Sequence, residues 1–121
     1  MSEVLKQQVG GNHYSRLQYQ PIVLAFKLNL NPAQFSMLKY LSRWENKNGL
    51  EDLKKIKHYA DIQKELGSIG EIKTFYFEEI QKFVDMNGFP QKYYFIIKNI
   101  LYGATEVVKE EIDRIILEVY G

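Results

Sequence analysis

The chain has no cysteine, and that one absence removes disulfides, thiolate chemistry and cysteine-based zinc sites together. No apolar run approaches the roughly 20 residues that a membrane-spanning helix needs. The opening MSEVLKQQV lacks the apolar stretch of a secretory signal. The expectation is a cytoplasmic protein with no membrane partner. Charge of one sign is also missing: 16 Lys and Arg stand against 15 Asp and Glu, a formal +1. Nucleic acid is therefore not an expected partner, since duplex binding rests on broad phosphate neutralisation. The patterns GxxxxGK, GxGxxG and HExxH do not occur, which excludes a kinase working by the P-loop route and a zinc protease of that motif.

What is present suits one compact domain over residues 1–121, with 45% hydrophobic residues to build its core. The balanced total hides an asymmetry. Residues 1–66 carry 10 basic and 6 acidic side chains, net +4, and residues 67–121 carry 6 and 9, net −3. An anion site belongs in the first half.

Breakers cut the chain into helix-length pieces. Pro21 suits a first helical turn before IVLAFKL, and Asn31-Pro32 reads as cap and first position of AQFSMLKYLSRWENK. Asn48-Gly49 ends that piece, and Glu51-Asp52 open a third helix that runs to Gly67, their acids complementing its dipole. EIKTFYFEEIQKFVDM reads as a fourth, QKYYFIIKNILY after Pro90 as a fifth, and TEVVKEEIDRIILEVY after Gly103 as a sixth. In the last, Val108, Ile112, Ile115 (or Ile116) and Val119 form an apolar stripe. The fold class is all-α, a compact bundle of five to six short helices. The aromatic concentration from Phe75 to Phe95 exceeds what a small helical core uses and points to a homo-oligomer.

Two basic constellations carry chemistry. Ser36, Tyr40, Arg43 and Lys47 fall at helical spacing with Lys39 four before Arg43, and Phe35, Leu38 and Leu41 tend to the other side. Lys54, Lys55 and Lys57 follow beyond the turn. Arginine's planar fork and lysine's point charge suit phosphate oxygens; the same spacing also describes a solvated basic face. The second constellation is GGNHYSRLQYQP at 10–21. There Gly10-Gly11 allow close approach, Tyr14 can stack on a base, and His13 or Arg16 can meet a phosphate. The plainer alternative is a loop with its Tyr packed as an anchor. His58 and Asp61 are spaced as a base and its orienting acid or as a surface pair. Glu106, Glu110 and Asp113 share a face that could hold magnesium or simply meet solvent.

The order HY, then YQPI, then LKYLSRWENKNGLEDLKKIKHYADI resembles the SaV-like family of phage proteins, often labelled nucleotide kinase, over residues 10–66. Matched residue by residue, the family pattern falls on His13, Tyr14, Lys39, Tyr40, Arg43, Lys47, Glu51, Asp52, Leu53, Lys55 and Tyr59. The resemblance implies a nucleotide-phosphate site built from the His-Tyr loop and the Lys-x-x-x-Arg helix, as in a P-loop-less nucleoside monophosphate kinase. It also implies the host cytoplasm for a phage-encoded chain. Residues 70–121 form an extension, either core or oligomer interface.

Three functions follow. The first is a nucleotide-binding protein that transfers phosphoryl groups, which brings magnesium in as cofactor; the cofactor is otherwise undetermined. Glu51 and Asp52 are the acids nearest the basic stripe. The second is a non-enzymatic sponge sequestering a nucleotide immune signal, an anti-defence protein in which Tyr14, Tyr40 and Trp44 would stack. The third is an inhibitor of a host enzyme acting through the aromatic residues 75–95. The site residues are His13, Tyr14, Arg16, Lys39, Tyr40, Arg43, Lys47, Lys55 and Tyr59.

Overall fold

The computed structural model describes residues 17–121. His13, Tyr14 and Arg16 lie outside the described residues. Within them the fold is all-helical, as expected: α1 (Pro21–Leu28), α2 (Pro32–Arg43), a 3-10 turn (Trp44–Asn46), α3 (Leu50–Leu66), α4 (Phe75–Met86), α5 (Lys92–Tyr102) and α6 (Thr105–Tyr120).

The local chemistry sets these boundaries. Pro21 opens α1, and Asn29 closes it in the left-handed conformation at φ 55°, its N–H returning to Ala25 and Phe26 carbonyls. Asn31 caps α2 reciprocally: its side chain accepts from the Gln34 N–H while the Gln34 side chain accepts from the Asn31 N–H. Gln34 is buried and spends its amide nitrogen on the Ile100 and Leu101 carbonyls at the end of α5. One side chain thus starts α2 and finishes α5. Gly49 precedes α3 at φ 54°, and a Cβ there would fall 2.6 Å from the Tyr120 hydroxyl at the far end of α6.

Cross-links fix the register. Asn31 donates to Gln63 and Arg43 to Asp52, so α2 and α3 run antiparallel across the 47–49 turn. Lys57 pairs with Asp113, Asp61 with Lys109 and Lys64 with Glu106, so α3 and α6 are also antiparallel. The α5 helix packs on α2, and just beyond α2 the Trp44 Nε1 of the 3-10 turn donates to the Tyr93 hydroxyl at 2.9 Å. The core is continuous: Leu38 and Leu41 of α2, Leu53 and Ile56 of α3, Phe83 of α4, Ile96 and Ile100 of α5, and Val108 and Ile112 of α6.

Three expectations need correction. α2 ends at Arg43 rather than running through Lys47, because the chain tightens into the 3-10 turn. α4 begins at Phe75, and residues 71–73 are irregular; Ile72 and Thr74 are β-branched, and no side chain caps an earlier start. Val119 is 54% exposed and leaves the apolar stripe, whose buried members are Val108, Ile112 and Ile115. The aromatic second half divides: Tyr76, Phe83 and Tyr93 are core, and Phe75 and Phe95 are exposed.

Candidate functional site

The α2–α3 hairpin brings five of the nine candidate residues to one ring. Tyr40 projects from the penultimate turn of α2. Around its ring stand the Lys39 ammonium at 4.8 Å, the Arg43 guanidinium at 4.6 Å and the Lys55 ammonium at 5.2 Å from the centroid. Tyr59, one turn beyond Lys55 on α3, stacks on it at 5.9 Å and 21°. An electron-rich aromatic face attracts cations, which is how three like charges share so small a volume. Lys39 also lies 6.0 Å from the Phe35 ring, so Phe35 borders the basic surface instead of lying opposite it.

The cations differ in their commitments. Arg43 donates from Nε and Nη2 to the two oxygens of Asp52, at 3.2 and 3.3 Å. Asp52 is fully buried and also accepts from the Asn48 N–H and amide. Lys55 reaches Glu51 at 3.6 Å and Asp52 at 4.0 Å. Lys39 makes ring contacts but no ion pair among the described residues. Arg43 is therefore the organiser of the hairpin, and Lys39 is the cation least committed to a carboxylate. Asp52 belongs to this ion pair and is not placed to hold magnesium. Lys47 is exposed in the turn and joins no ring contact or ion pair among the described residues.

Other expectations resolve as structure. Trp44 is buried with its N–H spent on Tyr93, so it presents no face for a base to stack on. Asp61 accepts from Lys109 at 2.8 Å, which holds its carboxyl below the usual range; His58 is exposed beside it. Glu106 and Asp113 are spent on Lys64 and Lys57. No group of three His, Cys, Asp or Glu side chains gathers as a metal site among the described residues.

Sequence reasoning missed a second polar centre. The Tyr19 hydroxyl donates to Glu79 at 2.6 Å, Lys27 pairs with the same oxygen at 3.3 Å, and the Lys27 ammonium lies 5.0 Å from the Tyr19 ring. Asn87 clamps the Tyr19 backbone through both its N–H and its carbonyl. Burial raises the Tyr19 hydroxyl above the usual phenol range, and the Tyr19 bond lowers the Glu79 carboxyl. This centre pins the start of the described chain to α4. Its residues lie about sixty positions apart, so no local pattern could reveal it.

A family model described as a protein of unknown function, DUF3310, matches residues 9–61. That span contains all nine candidate residues and the α2–α3 hairpin up to Asp61. No curated protein matches the chain, and no solved structure does. No helix of the described residues is long and apolar enough to cross a membrane.

Proposed function

We propose that this chain binds a nucleotide by its phosphates at the Tyr40-centred cluster. The observation that carries the reading is the convergence of Lys39, Arg43 and Lys55 on one aromatic ring. Asp52 offsets part of that charge and holds Arg43 in place, so the ammonium groups of Lys39 and Lys55 are the phosphate contacts. Tyr59 and Tyr40 supply the aromatic wall. His13, Tyr14 and Arg16 complete the site on the resemblance to the phage family.

Binding is the content shared by a P-loop-less kinase and a nucleotide sponge. Phosphoryl transfer draws on magnesium for charge neutralisation; no group of three His, Cys, Asp or Glu side chains gathers among the described residues, so in a kinase the nucleotide's own phosphates would supply most of the metal's ligands. Sequestration needs only the basic, aromatic-walled site. Self-association is a separate part of the proposal, supported by Phe26, Leu117 and Val119, which are 81, 69 and 54% exposed.

Chromatography of a nucleotide panel, incubated with the protein, ATP and magnesium and then heat-denatured, tests the reading. A nucleotide that vanishes on mixing and returns unchanged on heating establishes a sponge. A diphosphate formed from a monophosphate establishes a kinase. If the panel passes through untouched by wild type, the reading fails. It also fails if the double variant Lys39→Gln with Lys55→Gln binds as wild type does.

A further inference from the structure

A second cleft, of about 340 Å³, opens between the 3-10 turn and the loop joining α4 to α5. Ser42, Glu45 and Asn46 line one side, and Gly88, Phe89 and Tyr93 line the other. Among the described residues no Lys, Arg or His lines it, so the charged group that these residues offer an entering ligand is a carboxylate. Its volume is near the low end of the roughly 300–1,000 Å³ typical of small-molecule sites, which suits one flat ring system rather than a whole nucleotide.

Glu45 is its distinguishing group. The carboxylate is exposed, has no cationic partner among the described residues, and accepts from the Tyr93 hydroxyl at 3.3 Å. Tyr93 is itself fixed by the Trp44 N–H at 2.9 Å. A buried Trp–Tyr relay therefore orients a carboxylate at the mouth of a cleft. A carboxylate offers about four lone-pair positions, so one bond to Tyr93 leaves most of its accepting capacity. The remaining polar side chains are mostly spent: Ser42 donates to the Leu38 carbonyl at 2.8 Å, and Asn87 is held by Tyr19. Phe89 supplies an aromatic wall, packed 5.2 Å from the Tyr93 ring.

We infer that this cleft binds a guanine-type base, its adjacent ring and amino N–H groups donating to Glu45 and its plane lying on Phe89. Adenine and cytosine place an acceptor nitrogen beside their amino group, which would face the carboxylate unfavourably. The site is independent of the phosphate cluster and takes nothing from Lys39, Arg43 or Lys55.

The test uses nucleosides, which carry no phosphate. Guanosine, adenosine, cytidine and free arginine are measured by equilibrium dialysis, with fluorescence of Trp44, the chain's single tryptophan, reporting where binding occurs. Guanosine is expected to bind saturably and shift the Trp44 emission, with adenosine and cytidine weaker by roughly tenfold or more. Glu45→Gln, at an exposed position, should melt as wild type does and lose guanosine affinity by a similar factor. Any of four results overturns the assignment: no guanosine binding, equal binding of adenosine, unchanged affinity in Glu45→Gln, or a preference for free arginine over guanosine.

Discussion

The Arg43 guanidinium straddles the Asp52 carboxylate, with Nε 3.2 Å from Oδ2 and Nη2 3.3 Å from Oδ1, and Asp52 has no solvent exposure. A buried charge that loses its partner costs about 3–5 kcal/mol, and the Asn48 and Lys55 contacts to Asp52 place this case toward the lower end of that range. Arg43→Ala should therefore lower unfolding stability in urea by nearly that amount. Loss of nucleotide binding in this variant would report a damaged hairpin as readily as a missing phosphate contact. Asp52→Asn, which leaves a neutral group, should cost less than Arg43→Ala. Equal stability of Arg43→Ala and wild type would show that the pair does not organise the hairpin.

Tyr40 separates the ring's role from that of its hydroxyl. Three cations and Tyr59 face the ring, whereas the hydroxyl takes no part in the cluster's hydrogen bonds among the described residues. Each cation–π contact is worth about 0.5–1 kcal/mol at a partly exposed site. Tyr40→Phe should keep both stability and nucleotide binding close to wild type. Tyr40→Leu should lose about 1–3 kcal/mol and weaken binding, because the three cations would then repel without a shared face. Thermal melts and the nucleotide titration read the two effects separately. Similar behaviour of Phe and Leu would remove the ring from the argument.

Local punctuation carried most of the fold. Pro21, Asn31-Pro32, Asn48-Gly49 and Gly103 act through backbone geometry that needs no distant partner, and each stands at an observed helix boundary. The start of α4 was not legible: Thr74 stands at its N-cap but makes no side-chain capping bond, and no Pro or Gly breaks the chain from Glu71 to Thr74. Lys39, Tyr40 and Arg43 were legible as one helical stripe, and Lys55 as a basic residue beyond the turn. Tyr59 entered on the resemblance to the phage family, and what the sequence could not show is that the hairpin brings it and Lys55 onto the Tyr40 ring. Trp44 looked like a stacking platform because its partner, Tyr93, lies 49 residues away. Asp52 read only as one of two acids near the basic stripe for the same reason: Arg43, which claims it, is across a turn.

The ion pairs between α3 and α6 look like the cement of that interface, but magnitudes assign the role elsewhere. Lys57–Asp113, Asp61–Lys109 and Lys64–Glu106 span 2.7, 2.8 and 3.6 Å, each with an exposed carboxylate. Exposed pairs of this kind contribute about 0–1 kcal/mol each and are screened by salt. Leu53, Ile56 and Ala60 of α3 and Val108, Ile112 and Ile115 of α6 are buried in the same core. Ile112→Ala should cost about 2–5 kcal/mol in denaturant unfolding, whatever the salt. Lys57→Gln should cost under about 1 kcal/mol, and that small loss should shrink further at about 0.5 M salt. A larger loss for Lys57→Gln than for Ile112→Ala would reverse the assignment.

Acid sensitivity should centre on Glu79. The Tyr19 hydroxyl bond is the largest influence on its carboxyl, Lys27 adds a hydrogen bond and charge, and Lys82 adds charge, together holding it below its ordinary value despite partial burial. A carboxyl whose folded value lies below its unfolded one, about 4.3 for Glu, contributes fully above the unfolded value. That contribution disappears as pH falls through the folded value. Wild-type Tm should therefore drop between about pH 5 and about pH 3, and Glu79→Gln should flatten part of that drop. The slope will not vanish, because Asp61 is lowered in the same direction by Lys109. Tyr19→Phe should also flatten it, by removing the strongest bond to the charged form while leaving Lys27 in place. An acid profile identical in wild type, Glu79→Gln and Tyr19→Phe would mean that the clamp between the start of the described chain and α4 does not couple to folding.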